Sequence, residues 1–390
     1  MINEREEPHN KLIETLNEYT VRVYNNFTAE LQGFWTSIEH ETDCHVFQTW
    51  SWQYHWYEII GRSNEIRPVV VVVLNRDIPV ALFPFSIRKL PGVRILEFMG
   101  GKQSDYNAPV LTSRWQDTQN NIEQIWKLVH QQLPRYDIMA LVKMPACFRN
   151  TPNPFISFWA IKNEETSYAA ALPENFEIFQ ARLRSKLKSD IKRQRRRLEE
   201  KGKLSFEIIE KPEMLEELIP VMITQKRRRY AMTGVPDTLD SIAVRRFYTD
   251  FTNNTSLSNK IHFAVLKLND EVIATHWGCV YHDRFYYLMP TYSETYMVNS
   301  PGKILLEYLL QWAISQQLRV FDFTVGGEEY KKEWCNESMP LYQYVEVKRL
   351  PGYVYYWGLE FVDFARGKKQ LWGILRKTYR KFKVLHGNKK

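Results

Sequence analysis

The sequence predicts a mixed α/β protein built from two copies of one plan, each a mostly antiparallel sheet flanked by helices. Three observations predict it. "VLNRDIPVALFPF" (73–85) and "KLNDEVIATHWGC" (267–279) each read as a strand, a Leu-Asn followed by two charged residues, and a second strand, which is the pattern of a β-hairpin. "QQLPRYDIMALV" (131–142) and "QQLRVFDFTV" (316–325) each close an amphipathic helix and enter an apolar strand through an aromatic-Asp pair, so Asp137 and Asp322 take equivalent places. The two units come in the same order in both halves, at offsets of 194 and 185 residues, which marks a tandem duplication.

The second copy is read element by element. A helix over 176–200 places Phe176, Phe179, Leu183, Leu187, Ile191 and Leu198 on one face by the i, i+3, i+4 rule, with basic residues opposite. A helix near 213–232 follows, then strands at 261–268, 271–281 and 284–291, a helix at 302–317 and a strand at 319–325. The boundary between copies falls around Tyr168 to Pro173, giving expected units at 1–170 and 171–350 and a basic helical tail at 351–390.

With 390 residues and 44% apolar content the chain is long enough for two cored domains. The longest clean apolar run, "VVVVVL" at 69–74, is far too short to span a bilayer, and the acidic start "MINEREEPHN" does not read as a signal peptide. Cys44, Cys147, Cys279 and Cys335 lack C-x-x-C spacing, so neither a zinc knuckle nor a disulfide framework is indicated, no metal is expected and the expected compartment is cytoplasmic. The net charge of +8 is local. Residues 182–197 hold nine Lys/Arg against Asp190, and 366–390 hold ten Lys/Arg and no acid; the rest of the chain has 34 basic and 44 acidic residues. Two basic elements on an acidic body point to specific anionic contacts rather than a general nucleic-acid coat.

Two stretches carry the expected chemistry. "VFDFTVGGEEYKKEW" (320–334) is a buried strand that stops at paired glycines, which lets something approach the backbone closely at the sheet's rim. In "YMVNSPGKILLEYLLQWAI", Ser300 suits a helix cap and Pro301 the first turn, while Gly302 removes the side chain that would keep an anion from the free N–H groups; a plain capped helix is the competing reading.

"ATHWGCVYHDRFYYLMPTYSETY", "SPGKILLEYLLQWAISQQLRVFDFTVGGEEYKKEWC" and "SDIKRQRRRLEEKG" resemble the GNAT-fold proteins related to CelD, a group associated with cellulose and other exopolysaccharide biosynthesis; "FQTWSWQYHWYEIIG" and "GGKQSDYNAPVL" are similar to that group's first half. The resemblance runs from about residue 45 to 380. Two GNAT domains with the second one active also resemble the Fem-type transferases that add amino acids to cell-wall precursors. The resemblance implies a tandem of GNAT domains, acyl-CoA as donor co-substrate, and donor binding by Ser300, Pro301, Gly302 and Lys303. The general GNAT turn carries a second small residue two positions after its first glycine, where "NSPGKI" has one glycine, so a longer acyl-CoA than acetyl-CoA, or a different carrier, is left open.

Amide formation needs a base for the attacking amine, donors for the developing oxyanion and a proton for the leaving thiolate. Asp322, Glu328 and Glu329 are the acids available as base, Tyr330 suits protonation of the thiolate, and Lys331 suits stabilisation of negative charge. Against these roles stand a solvated turn for the glutamates, a surface ion pair for Lys331 and a structural place for Asp322, whose counterpart Asp137 lies in the copy read as inactive. Lys331 belongs to the Tyr-Lys pair that the resemblance makes a signature, and the first copy continues as "KMPACF" without an equivalent. His276 in "ATHWG" is a further base by chemistry, with a satisfied core histidine as the alternative.

Acceptor contacts are expected from Gln225, Lys226 and Arg229 in "MITQKRRRYAMTG", and from Asp105 and Tyr106 in "GGKQSDYNAP", with an exposed helix face and an unliganded loop as rivals. The basic helix suits the phosphates of a lipid-linked or nucleotide-linked sugar, or a plain solvated face. The tail "LWGILRKTYRKFKVL" suits an anionic membrane, where each nearby cation is worth on the order of 1 kcal/mol, or packing of its Trp372 and Leu375 face on the body. Three functional readings result: an acyl-CoA-dependent acyltransferase acting on an amine or hydroxyl in envelope polysaccharide or lipid assembly; a Fem-type transferase using aminoacyl-tRNA; and a non-catalytic GNAT-fold module docking on a membrane or synthase complex.

Overall fold

The computed structural model describes residues 18–115, 122–148, 151–158, 160–253 and 260–367. The first hairpin joins β2 (Arg67–Asn75) to β3 (Ile78–Leu90) through Arg76 and Asp77, both at positive φ (48° and 66°) as a two-residue primed turn requires. β1 (Tyr19–Tyr24) flanks β2, and β4 (Val93–Phe98) flanks β3, all antiparallel; β5 (Ile138–Pro145) then lies parallel to β4. The second half repeats this. β7 (Leu204–Ile208), β8 (Ile261–Leu268), β9 (Glu271–Tyr281) and β10 (Arg284–Tyr292) are antiparallel in turn, and β11 (Val320–Val325) lies parallel to β10.

The halves are joined by an exchange of strands. β6 (Ile161–Ala171), which follows β5 in the chain, pairs with β11 of the second half; β12 (Glu337–Val347), which follows β11, pairs with β5 of the first. β6 and β12 also pair with each other, so one sheet runs β1-β2-β3-β4-β5-β12-β6-β11-β10-β9-β8-β7. A division at residues 170 and 171 falls in the last two positions of β6.

One face of the sheet carries α1 (Ala29–Glu41) and α2 (Trp50–Trp56) from the first half with α6 (Pro212–Thr233) and α7 (Ile242–Asn253) from the second. Their apolar faces merge into one core, where Trp52 of α2 meets Phe247 of α7 at 5.4 Å and Trp277 of β9 at 6.3 Å. The other face carries α3 (Ile122–Gln132) over the first half and α8 (Pro301–Ser315) over the second. The predicted helix over 176–200 is two helices, α4 (Phe176–Arg182) and α5 (Ser185–Glu199), because Leu183 is extended (ψ 143°). No proline or glycine marks this break. The extended residue keeps Leu183, Phe179, Leu187 and Ile191 together in the core under α8, so packing outweighs helical continuity. α9 (Leu350–Gly367) closes the described chain; Trp372, Leu375 and the rest of the basic tail lie outside the described residues. Among the described residues no helix is long and apolar enough to cross a membrane.

Candidate functional site

β10 and β11 pair at only three positions, Arg284 with Val320, Phe285 with Phe321 and Tyr286 with Asp322. Beyond them β10 stays with β9 as far as Tyr292, while β11 stays with β6 as far as Val325, so the two strands diverge. A cavity of about 220 Å³ opens between β10 and the first turn of α8, and Tyr287, Tyr292, Gly302, Lys303, Arg229 and Tyr330 are among its walls. Ser300, Pro301, Gly302 and Lys303 therefore come together with Arg229 and Tyr330, as six of the predicted site residues.

Ser300 departs from its expected cap role. It sits in the left-handed region (φ 50°, ψ 48°) and its hydroxyl makes no capping bond; its carbonyl instead accepts from the N–H groups of Lys303 and Ile304. Gly302 is closely placed, since a Cβ there would lie 3.3 Å from the Tyr292 ring. The Arg229 guanidinium lies over the same ring, 5.3 Å from its centroid. Lys303 Nζ is 3.7 Å from Asp190 of α5 and 3.9 Å from Glu333, which ties the cavity's edge to the basic helix.

The polar stretch after β11 divides by direction. Lys331 is 4% exposed; its Nζ donates to the Val325 carbonyl at 2.8 Å and lies 3.0 Å from Glu328 Oε2. This pairing depends on Gly326, at φ 139°, where a Cβ would fall 2.2 Å from Glu328 Oε2 and 2.7 Å from Lys331 Nζ. Glu329 points to solvent and pairs with Lys332 at 2.8 Å. Burial works to raise the Glu328 carboxyl, but the Lys331 ammonium outweighs it and holds the group below the usual carboxylate range. Burial pushes the Tyr330 phenol up, with Glu328 adding to the effect, so it stays protonated across neutral pH. Lys226 is pushed down to about 8 by burial and by Arg229 and Lys331 beside it, with Glu328 opposing.

Other predicted residues are placed away from this cavity. His276 is fully buried, its two ring nitrogens have no hydrogen-bond partner among the described residues, and it stacks on Tyr287 at 4.7 Å and 7°, behind the wall; burial drives it well toward the neutral form. Gln225 donates to the Val272 carbonyl at 3.1 Å and accepts from Thr291 at 2.6 Å, fastening α6 to the sheet. Asp322 accepts from Arg284 Nη1 at 2.7 Å and from Tyr106 Oη at 2.8 Å, on the opposite sheet face from Tyr287. The same device recurs in the first half, where Arg94 at the start of β4 holds Asp137. Asp105 lies 3.6 Å from Lys143 Nζ.

Around Asp322 a second cavity of about 550 Å³ opens where the halves meet, walled by His45, Tyr106, Phe148, Arg284 and Glu337. Sequence reasoning missed Arg284, Tyr287 and Tyr292. The signal for Arg284 was present, because an arginine opens the fourth strand in both copies, in "VRILEF" and "RFYYL".

Among the described residues, the corresponding gap in the first half is bridged. β4 and β5 also pair in parallel at two positions only, but the loop after β4 is bonded onto β5: Asn107 donates its N–H to Lys143 O and its side-chain amide to Val142 O, both at 3.0 Å, and Lys143 Nζ donates to Ser104 O at 3.1 Å.

A divergent parallel pair beneath a helix N-terminus is the frame of the GNAT acyltransferase class, and residues 185–332 match the family profile described as "Acetyltransferase (GNAT) domain". The stretch 185–332 is thus a GNAT-fold domain. No curated protein sequence matches the chain. Among solved structures it is similar in fold to FemX (TM-score 0.56, 10% identity, covering 86% of this chain and 99% of that one). It is likewise similar to a conserved protein of unknown function from Bacteroides thetaiotaomicron VPI-5482 (TM-score 0.52, 11% identity, 84% and 100% covered). Both likenesses span the two halves, and both concern fold.

Proposed function

We propose that the protein moves an acyl group from acyl-CoA to an amine or hydroxyl acceptor in envelope polysaccharide or lipid assembly. The observation that carries this reading is the cavity beneath α8. A helix start without a side chain at Gly302, flanked by Arg229 and Lys303, suits a pyrophosphate, and the divergence of β10 from β11 gives an extended thioester arm room to reach the sheet's edge. The bonded loop over β5 supports a single donor site, in the second half.

In this reading the acceptor heteroatom attacks the thioester carbonyl, the carbon–sulfur bond breaks, and the thiolate leaves with a proton. Tyr330, on the cavity wall and protonated at neutral pH, supplies that proton. Glu328, ionised, takes the acceptor's proton through water, and Lys331 with Lys226 sets the charge around it. The acceptor enters from the larger cavity at the junction of the halves; its walls come from the same two strands on the opposite face, with Arg284, Asp322 and Glu337 offering polar contacts.

A second reading, with aminoacyl-tRNA as donor, is favoured by one observation. α5 leaves Lys186, Lys192, Arg193, Arg196 and Arg197 exposed and reaches the cavity's edge through Asp190 and Lys303. Calorimetric titration with CoA and a panel of acyl-CoAs, with Gly302→Val as control, tests the first reading. Saturable binding lost in the variant is expected. Absence of binding to every member of the panel, alongside salt-sensitive binding of tRNA, would replace the first reading with the second.

A further inference from the structure

Among the described residues, α9 is packed against the sheet on one side only. Gly352 sits against the Asp137 carbonyl, so closely that a Cβ would lie 2.3 Å from that oxygen, and Tyr355 and Tyr356 rest on the small cluster of Val93, Ile95 and Ile138. Leu350, Tyr353, Val354, Trp357 and Phe361 all point to solvent, with Leu350 at 76%, Val354 at 68% and Trp357 at 67% exposure. At 100° per residue these five positions fall within about 100° of arc, a single apolar stripe. A stripe of this size on a surface helix needs an occupant.

Charge says what the occupant is. At the N-terminal end of the stripe a hollow of about 660 Å³ is lined by Lys89, Arg135 and Arg349 beside Leu90 and Leu350; its one carboxylate, Asp137, is held by Arg94. At the other end the chain runs into 366–390, with ten Lys/Arg and no acid. Glu360, at the stripe's edge, lies beside Tyr356. A cluster of cations at the end of an apolar stripe carrying a tryptophan matches the layering of an anionic bilayer surface, where side chains enter the acyl boundary and cations meet headgroup phosphates.

We propose that α9 is an interfacial membrane anchor: its Leu350–Phe361 stripe inserts into an anionic lipid surface, and Lys89, Arg135 and Arg349 at its N-terminal end bind headgroup phosphate. This holds whichever donor the cavity under α8 takes.

Co-sedimentation of the full-length protein with vesicles tests it, using neutral phosphatidylcholine and the same lipid with about a third phosphatidylglycerol, at low and high salt. The wild type sediments with the anionic vesicles, poorly with the neutral ones, and less at high salt. The triple variant Val354→Glu/Trp357→Glu/Phe361→Glu, altered at exposed positions and checked by circular dichroism, loses at least tenfold in partitioning while retaining the whole basic tail. Lys89→Glu/Arg135→Glu/Arg349→Glu, a second variant independent of the helix, loses several-fold. Wild-type partitioning by the triple variant overturns the proposal, since the tail alone would then bind. A wild type that ignores anionic vesicles but forms a dimer by light scattering, split by the triple variant, overturns it in favour of self-association.

Discussion

Tyr106 of the first half donates its hydroxyl to Asp322 of the second at 2.8 Å, inside the protein, where Asp322 also receives Arg284. A carboxylate that is 1% exposed survives burial only with such partners, so this contact is a structural fastening between the halves. Tyr106→Phe is expected to lower unfolding free energy by about 1–3 kcal/mol, the cost of leaving a buried acceptor short of a donor. Denaturant unfolding measures it, and a change under about 0.5 kcal/mol would show that the bond contributes nothing net.

Lys331 is expected to act on turnover more than on donor binding, because its ammonium faces Glu328 and the end of β11 and does not line the cavity beneath Gly302. Lys331→Ala should reduce kcat by about 10²–10³, as for loss of a charge-stabilising donor, with the CoA dissociation constant within about threefold of wild type. Steady-state kinetics well below the melting temperature, paired with calorimetry, separates the two. Near-normal kcat would remove Lys331 from the chemistry.

Gly326→Ala tests the same pair through the backbone. The substitution puts a Cβ into the space of Glu328 and Lys331 at a φ of 139°, which side chains rarely adopt. A stability loss of about 1–3 kcal/mol is expected, with turnover falling as in Lys331→Ala. Wild-type turnover in a folded Gly326→Ala protein would mean that the Glu328–Lys331 geometry is not needed.

Lys226 makes stability depend on pH in a set direction. Its folded pKa is about 8, below the ordinary lysine value of 10.5, so between these values the unfolded chain holds more protons than the folded one and stability rises with pH. Below about pH 8 the folded protein carries the cost of a half-buried charge in full. Urea unfolding at pH 7 and 9.5 should show wild type gaining stability relative to Lys226→Met; a parallel pH dependence in both proteins would place the effect elsewhere.

Most second-half elements were legible in the sequence because their signals are local. The strands read at 261–268, 271–281 and 284–291 match Ile261–Leu268, Glu271–Tyr281 and Arg284–Tyr292, since alternating and β-branched residues end at the turn residues around Asn269 and Asp283. The helix at 302–317 is α8, Pro301–Ser315, announced by Ser-Pro-Gly and an unbroken apolar face. The break at Leu183 was not legible, because it depends on fitting two helices under α8 and has no residue type of its own.

Among the candidate site residues, the Ser-Pro-Gly turn and the Tyr-Lys pair were singled out by motif and resemblance, but which way each side chain points was not legible. Glu328 and Glu329 are adjacent and identical in type; one pairs with the buried Lys331 and the other with solvent-facing Lys332, and only the turn at Gly326 separates them. His276, attractive by chemistry, is sealed behind Tyr287 by strand alternation against α8.

By itself the sequence determined the duplication, the run of hairpin, third strand, helix and last strand in each copy, and the two basic elements, because periodicity, turn chemistry and charge act between near neighbours in the chain; β1, β7 and α7 were not read from it. The exchange of β6 and β12, the closed loop over β5 and the burial of Asp322 between Arg284 and Tyr106 were decided by tertiary structure alone. Each of these joins segments more than thirty residues apart, and an unpaired strand edge or buried carboxylate finds its partner only once the halves are assembled.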